Sequence, residues 1–457
     1  MINKVLKTEK ADFFRLDYPT SASPCQQNKE IISKCNKSVL VLGVGGVSMS
    51  QLALALKNQD CKVLGFDNVE SATTQKLAKQ GIEIYNKISK RFFQVDYCIK
   101  TAAIKDDSCL VKQLKKHNIP IFDRAVALGE LLKTFKNVIA VAGTHGKSTT
   151  SALIYEILRV AGKNVSCHIG ADVFLPRFQP GDEFVVVEAC EFNKSFLQIS
   201  PNIAVVTNVE PEHLDCYGNF KNLQNAFATF IKRAKTRYTY CEKSTEYLKR
   251  YKNIKYVGLS HFEAKLKGEY NQKNISLASK VCKDLGVDEK IINQVVESFT
   301  GLPRRYEFLG FYGKTKIFID YAHHPTEVKA FVSTFKQEHS NSLIIFQPHT
   351  YSRTKTFLKE FVELFANCGK VCIFKEYPAR EQKKCGVDAK TLSEQIRKVN
   401  NDCFYACSDK KIDAIINNFE AVAFVGAGDV CKLAYKLVKN PNKLKLAHLK
   451  QDISKNG

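Results

Sequence analysis

The residues with the clearest potential for chemistry form one short segment, Gly143-Thr-His-Gly-Lys-Ser-Thr149. A strand-like run, Asn137 to Ala142, precedes it, and helix-forming sequence follows. A glycine turn between a strand and a helix lets backbone N–H groups and the helix N-terminus hold a phosphate. In that arrangement Lys147 reaches the outer phosphates and the Ser148 hydroxyl ligates Mg²⁺. The usual phosphate loop has a further glycine where this chain has Val141, so the segment is a shortened variant.

Two clusters of acidic residues and histidine follow predicted strands of the same sheet. The first is Val187-Glu-Ala-Cys-Glu191, and the second is Asn208-Val-Glu-Pro-Glu-His213. Because the carboxyl ends of parallel strands converge on one crevice, we expect both clusters to face the phosphate loop. Mg²⁺ takes oxygen ligands, including one or two carboxylates. Glu188 is therefore a candidate ligand, and His213 is a candidate that acts directly or through water.

A second glycine turn, Gly43-Val-Gly-Gly-Val-Ser48, follows an earlier strand-like run. It resembles the dinucleotide fingerprint, with Ser48 in the third glycine position and Asp67 at the end of the next strand. A hydride-transferring dehydrogenase fits this turn but leaves the second phosphate loop without a role. A pyrophosphate-bearing nucleotide other than NAD fits the turn equally well, so both interpretations remain open here.

Strands and helices alternate along three successive units, which predicts an α/β fold with parallel sheets covered by helices. We expect a Rossmann-like N-terminal domain over residues 1–135. Residues 136–310 are expected to form a central P-loop ATPase-type domain with a parallel sheet. Residues 311–457 are expected to form a C-terminal Rossmann-like α/β domain, whose first predicted strand is Lys316 to Asp320.

Composition favours a soluble protein of the cytoplasm. The chain has 457 residues, of which 44% are hydrophobic and 25% are charged, as in ordinary globular proteins. We find no apolar run long enough to cross a bilayer and no apolar signal segment within Met1 to Pro24, so we expect no membrane insertion. The 16 cysteines include no CxxC pair, which favours free thiols over disulfides or structural zinc.

The formal net charge is +23, which raises the possibility of nucleic-acid binding. The densest basic stretches, Lys232 to Lys255 and Lys436 to Lys455, do not interleave aromatic residues in an RNA-binding pattern. We therefore favour a lysine-rich composition that attracts anionic substrates, with no specific nucleic-acid partner.

Taken together, these motifs resemble those of the Mur ligase family, from about Ser38 to Leu437. The turn that begins at Gly43 is similar to the family's UDP-binding turn, and the loop that begins at Gly143 matches its ATP loop. The resemblance implies that UDP-sugar is bound by Gly43, Gly45, Gly46, Ser48 and Met49. It implies that ATP is bound by Gly143, Thr144, His145, Gly146, Lys147, Ser148, Thr149, Asn271, Asn274 and Arg305. It assigns Mg²⁺ to Ser148, Glu188 and His213.

Two motifs of the third unit resemble those of the family member that adds L-alanine: Asp320-Tyr-Ala-His-His-Pro-Thr-Glu327 and Phe346-Gln-Pro-His-Thr-Tyr-Ser-Arg353. The resemblance implies ATP-dependent ligation of L-alanine to the lactyl carboxylate of UDP-N-acetylmuramate through an acyl phosphate, in peptidoglycan precursor synthesis. It implies catalytic roles for Lys147, Asp320, His323 and Arg353, with Asp320 holding the incoming ammonium. The expected protein is a monomer or a homodimer.

Two alternatives stay open. A murein-peptide recycling ligase shares the chemistry but accepts a peptide, and a catalytically silent homologue binds nucleotide only. The chain also departs from the family where Thr350 replaces an arginine near the substrate. We expect Arg353 to compensate, provided that the segment turns as the start of a helix.

Overall fold

The computed structural model describes residues 32, 36–170, 178–379, 381 and 386–439, which form three sheets with helices packed on them. The N-terminal sheet is entirely parallel, in the order β3-β2-β1-β4-β5. Its strands are β1 (Ser38–Leu42), β2 (Lys62–Phe66), β3 (Glu83–Tyr85), β4 (Tyr97–Lys100) and β5 (Ile121–Asp123). Its helices are α1 (Val47–Lys57), α2 (Ala72–Lys79), α3 (Cys109–Lys116) and α4 (Arg124–Leu132).

The central sheet is also parallel and has six strands, in the order β11-β10-β9-β6-β8-β7. Its strands are β6 (Asn137–Ala142), β7 (Val165–His168), β8 (Phe184–Glu188), β9 (Ile203–Val206), β10 (Thr236–Tyr240) and β11 (Ile254–Val257). Its helices are α5 (Lys147–Val160), α6 (Leu214–Tyr217), α7 (Phe220–Lys232), α8 (Glu269–Asp284) and α9 (Glu289–Ser298).

The third sheet has six strands in the order β12-β13-β17-β14-β15-β16. Its strands are β12 (Glu307–Tyr312), β13 (Thr315–Asp320), β14 (Ser342–Phe346), β15 (Val371–Phe374), β16 (Cys403–Ala406) and β17 (Ala421–Val425). Its helices are α10 (Pro325–Glu338), α11 (Tyr351–Thr356), α12 (Leu358–Ala366), α13 (Ala389–Arg397), α14 (Asp409–Asp413) and α15 (Val430–Lys439).

The three-domain α/β fold is confirmed, but the third sheet is mixed, not wholly parallel. β12 pairs with β13 in antiparallel fashion, because only Gly313 and Lys314 connect them and so short a connection cannot bring a strand back in parallel. The division at residue 310 falls inside β12, which belongs to the third sheet. We therefore propose that the third domain begins before Glu307.

The hydrophobic clusters show which domains share a core. A single hydrophobic cluster runs from the N-terminal sheet, with Val41, into the central sheet, with Val187, through Leu128 of α4 and Phe196. The clusters of the third domain contain third-domain residues only. The third domain meets the central one through the polar contacts described below, which places those contacts at a domain interface. None of the helices in the described ranges is both long and apolar enough to span a bilayer.

Candidate active site

The glycine loop follows β6, the strand at which the strand order of the central parallel sheet reverses. β6 runs between β8 and β9, and the loop 143–146 connects its carboxyl end to α5. Val141 pairs with Glu188 on one side, and Ala142 pairs with Val206 on the other. The segments that follow three neighbouring strands therefore meet at one crevice, as expected for a ligand site in a parallel sheet.

Two positions of this loop accept only glycine. Gly143 has φ +146°, and a Cβ there would lie 1.9 Å from Thr207 Oγ1. Gly146 has φ +80°, and a Cβ there would lie 2.3 Å from Asn274 Oδ1. The close approach of Thr207 and Asn274 to the loop backbone leaves no room for a larger residue, so both glycines shape the loop itself.

Lys147, the first residue of α5, folds back onto the loop. Its Nζ donates to the carbonyl oxygens of Gly143 at 2.6 Å and Thr144 at 3.0 Å, and lies 3.1 Å from Glu191 Oε2. Burial opposes the charge on Lys147, but Glu191, Cys190 and Glu188 outweigh it and raise the lysine pKa above its ordinary value. The amine stays protonated and is held against the loop backbone and Glu191.

Ser148 and Glu188 form the oxygen-rich side of the crevice. Ser148 Oγ donates to Glu188 Oε2 at 2.9 Å, and the backbone N–H of Gly170 donates to the same carboxylate oxygen at 2.8 Å. A hydroxyl beside a carboxylate is a ligand pair that suits a hard cation such as Mg²⁺. These two residues fit the magnesium site expected from the sequence.

The structure places His213 in a different group. Its Nε2 lies 4.0 Å from Glu191 Oε1 and 3.9 Å from Glu212 Oε1, and these three residues could together hold a metal ion. Because Glu191 also contacts Lys147, this group lies on the lysine side of the loop. Glu191 and Glu212 were not singled out from the sequence, although both belong to the two acidic motifs.

A cavity, hereafter the central cavity, opens beside the loop between the central and third domains. Asn271 and Asn274, on the first turns of α8, line it next to Tyr270. Asn274 Oδ1 accepts a hydrogen bond of 3.3 Å from Thr150 Oγ1, which ties α8 to α5. The pair predicted to contact adenine thus lies next to the loop predicted to hold phosphate. Other lining residues are His145, Gly146, Ser148, Thr149, Glu210, Arg305, Asp320, Thr326 and Glu327.

Asp320 ends β13 and faces the central cavity with Arg305. Its two carboxylate oxygens accept backbone N–H groups from Tyr306 and Ala322, each at 2.7 Å. Burial raises the pKa of Asp320 to about 6, while Arg305 acts in the opposite direction. Asp320 thus lines the same cavity as Asn271.

His323 and Arg353 do not line the central cavity. His323 Nδ1 lies 3.0 Å from the Tyr321 carbonyl oxygen, and burial lowers the pKa of His323 to about 3, so its ring is neutral. The Arg353 guanidinium donates to Glu212 Oε1 at 2.8 Å. The two residues share His349 as a neighbour, since its ring lies 5.7 Å from that of His323 and its Nδ1 lies 3.5 Å from Arg353 Nη1.

Thr350 caps the N-terminus of α11, so the segment does turn as the start of a helix. Its φ of +67° and ψ of 147° are unusual for a residue branched at Cβ. Its Oγ1 accepts the backbone N–H of Arg353 at 3.4 Å. Arg353 is already paired with Glu212, so compensation for the missing arginine requires that pair to rearrange.

The turn near the N-terminus lines a second cavity, hereafter the N-terminal cavity. Of the five residues predicted to bind UDP-sugar, Gly43, Gly46, Ser48 and Met49 line it, and Gly45 instead donates its N–H to Asp67 Oδ2 at 2.9 Å. Sequence reasoning missed Arg124, Thr101 and Asn68, which also line this cavity.

Ser48 connects the turn both to Arg124 and to the central domain. Arg124 Nη1 donates to Ser48 Oγ at 2.9 Å, and Ser48 Oγ also lies 2.8 Å from Nε2 of His168, the last residue of β7. Burial lowers the pKa of His168 to about 3, so this ring is neutral. A signal for Arg124 exists in the sequence, because it is the first residue after a strand end of the N-terminal sheet.

Three family models together match most of the chain. The model described as the Mur ligase family, catalytic domain, matches residues 39–136, the Mur ligase middle domain matches residues 141–279, and the Mur ligase, glutamate ligase domain, matches residues 304–433. A relative from Caldicellulosiruptor bescii, a UDP-N-acetylmuramate–L-alanine ligase, is 34% identical over 436 residues, which cover 86% of this chain and 96% of the relative. The chain belongs to the Mur ligase family.

Solved structures share the fold of this Mur ligase. The UDP-N-acetylmuramate–alanine ligase of Thermotoga maritima matches with a TM-score of 0.76 and 24% identity, covering 89% of this chain and all (100%) of that one. A murein peptide ligase from Psychrobacter arcticus matches with a TM-score of 0.65 and 18% identity, over 88% of this chain and 98% of that one. At these identities the likeness concerns the fold alone.

Proposed function

We propose that this Mur ligase joins L-alanine to the lactyl carboxylate of UDP-N-acetylmuramate, with conversion of ATP to ADP and phosphate, as a step in peptidoglycan precursor synthesis. The observation that carries the proposal is the pairing of two glycine turns with separate cavities. One turn lines the N-terminal cavity and the other lines the central cavity. The alanine ligase from C. bescii, which aligns over 86% of this chain, supports the choice of substrates.

The central cavity suits ATP. Amide side chains such as those of Asn271 and Asn274 can donate to and accept from a purine edge. Backbone N–H groups at the start of α5 and the amine of Lys147 suit the phosphates. The Arg305 guanidinium lines the cavity and adds positive charge there. We propose that Asp320, which faces this cavity, accepts hydrogen bonds from ribose hydroxyls, in place of the ammonium-holding role expected from the resemblance.

The N-terminal cavity suits the UDP portion of the sugar nucleotide. The glycines of the turn let a diphosphate approach the backbone closely, and α1 begins directly after Gly46. The Arg124 guanidinium lines the same cavity and supplies positive charge. We propose that the diphosphate lies between the turn and Arg124.

We further propose that Ser148 and Glu188 hold Mg²⁺, with His213 in the adjoining group. The donor chemistry of the Ser148–Glu188 pair supports this assignment. When bound there, Mg²⁺ supplies positive charge that offsets the repulsion between the phosphates and the substrate carboxylate.

The chemistry then follows from charge and position. The muramyl carboxylate attacks the γ-phosphorus of ATP, ADP leaves, and an acyl phosphate forms. This attack brings two anions together. Lys147 is held protonated. Its amine can exchange its contacts with Glu191 and the loop carbonyls for a contact with the phosphate, whose charge it stabilises. The alanine amine then displaces phosphate from the acyl phosphate. Closure between the central and third domains excludes water, which would otherwise hydrolyse that intermediate.

The protein is proposed to act in the cytoplasm, where ATP and UDP-sugars are available, as a monomer or a homodimer and without a specific nucleic-acid partner. The nearest rival is the murein-peptide recycling ligase, which shares the fold. A competition separates the two. The protein is given UDP-N-acetylmuramate, ATP and Mg²⁺ with equimolar L-alanine and murein tripeptide, and the products are identified by mass. We expect the alanyl product to dominate, and a dominant tripeptide product would overturn the proposal.

A further inference from the structure

Four ionisable side chains join the ATP loop to the third domain. His145, in the loop, places Nδ1 3.0 Å from Glu327 Oε1 and Nε2 3.5 Å from Glu210 Oε2. The His324 ring lies 5.0 Å from the His145 ring. Glu327 and His324 belong to the third domain, whereas His145 and Glu210 belong to the central domain. The cluster is largely buried, because the His145 and Glu327 side chains are only 13% and 14% exposed.

The charges in this cluster are complementary. Burial opposes the charge on His145, but Glu327 and Glu210 outweigh it and raise the pKa of His145 to about 10. Burial likewise opposes the charge on Glu327, yet His145 and Arg305, whose Nη1 lies 4.0 Å from Glu327 Oε1, hold the pKa of Glu327 well below the ordinary value. Burial and the charge on His145 lower the pKa of His324 to about 4, so His324 is neutral. One imidazolium therefore lies between two carboxylates.

Glu327 and Glu210 also hold the start of α10 in place. Glu327 Oε2 accepts the backbone N–H groups of His323 at 3.2 Å and His324 at 3.4 Å. Thr326 Oγ1 donates to Glu210 Oε2 at 2.7 Å, across the domain interface. The orientation of the third domain and that of the loop histidine are thus set by one network.

This network lies in the wall of the central cavity, which Glu210, Glu327 and His145 all line. Two unpaired carboxylates in that wall would repel the phosphates of a nucleotide. The positive charge of His145, which Glu327 and Glu210 keep protonated, offsets that repulsion.

We propose that His145 and Glu327 are positioning residues, whose ion pair forms when the third domain docks and sets the loop for the nucleotide. This inference rests on the proposed function, since it takes the central cavity to be the ATP site. In the undocked state His145 loses Glu327 but keeps Glu210, so its pKa lies between the ordinary value of about 6.5 and the docked value of about 10. Docking therefore takes up a proton at pH values between the undocked and the docked pKa. The contribution of the pair to docking is therefore complete below about pH 6.5 and is lost as the pH rises towards 10.

The test measures binding of Mg²⁺–ADP to the full chain by titration calorimetry at about pH 7 and about pH 9. The variants are His145→Gln, Glu327→Gln and the double variant. Glu420→Gln serves as the matched control, because Glu420 lies 3.4 Å from His339 on an exposed part of the third domain. Repeating the wild-type titration at about pH 8 in buffers of different ionisation enthalpy gives the number of protons taken up.

We expect each single variant to bind Mg²⁺–ADP at least about fivefold more weakly at neutral pH, the lower end for coupled sites. The double variant should bind no more weakly than either single one, and only the wild type and the control should lose affinity at the higher pH. Additive losses, or a wild-type pH profile in the variants, would overturn the inference. Absence of proton uptake by the wild type would overturn it without reference to any variant. A wild type that bound no Mg²⁺–ADP would instead count against the proposed function.

Discussion

The Arg353 guanidinium of the third domain donates a hydrogen bond of 2.8 Å to Glu212 of the central domain. Both side chains are mostly buried, with 17% of Arg353 and 8% of Glu212 exposed. Glu212 also lies 3.9 Å from His213, so the contact ties a residue of the alanine-ligase motif to the acidic motif beside the ATP loop. The domain interface therefore runs beside the proposed active site.

Removal of either partner of this pair should impair ligation. We expect Arg353→Ala and Glu212→Ala each to lower kcat/KM, because each leaves a buried charge unpaired. A double-mutant cycle on kcat/KM should give a coupling energy of roughly 0.5–3 kcal/mol. The exposed pair Lys249–Glu246 serves as the control and should show almost no coupling. Equal coupling in the two pairs would mean that the contact has no special role.

Lys147→Ala should nearly abolish turnover and leave the fold intact. A transition-state charge contact of this type contributes roughly 3–4 kcal/mol, or about 10²–10³ in rate. The measurement is kcat by phosphate release, with circular dichroism to establish folding. A folded variant that keeps more than about a third of the wild-type kcat would have lost far less than the expected factor. That result would remove Lys147 from its assigned role.

Glu188→Gln should raise the Mg²⁺ concentration needed for half-maximal activity, because an amide is a poorer ligand for a hard cation than a carboxylate. A Mg²⁺ titration of the rate gives this midpoint. Glu156→Gln is a suitable control, since Glu156 lies on α5 but pairs with the exposed Arg159. If both variants keep the wild-type midpoint, Glu188 does not hold the metal.

Thr350→Arg restores the guanidinium that the family places near the substrate. We expect KM for the UDP-sugar to fall by at most a few-fold with kcat nearly unchanged, the signature of uniform binding. Thr350→Gly separates charge from backbone strain, because glycine relieves the φ of +67° without adding charge. A rise in kcat of about a hundredfold in the arginine variant would instead mark the natural site as impaired, which favours a nucleotide-binding homologue with little activity.

The sequence predicted those parts of the site that rest on local patterns. The position of Glu188 beside Ser148 followed from strand ends that converge in a parallel sheet. The contact between His145 and Glu327 did not, because these residues are 182 positions apart and only the packing of two domains brings them together. β12 was missed for a related reason: its role is set by pairing with β13, not by its own periodicity.

The most direct test of the account follows oxygen from the substrate carboxylate. UDP-N-acetylmuramate labelled with ¹⁸O in both lactyl carboxylate oxygens is incubated with the protein, ATP, Mg²⁺ and L-alanine. Formation of an acyl phosphate makes one labelled oxygen bridge carbon and phosphorus, and attack by the alanine amine releases that oxygen with the phosphate. The account predicts ADP, an alanyl product that keeps one label, and inorganic phosphate that carries the other. Unlabelled phosphate, or release of AMP and pyrophosphate, would contradict it.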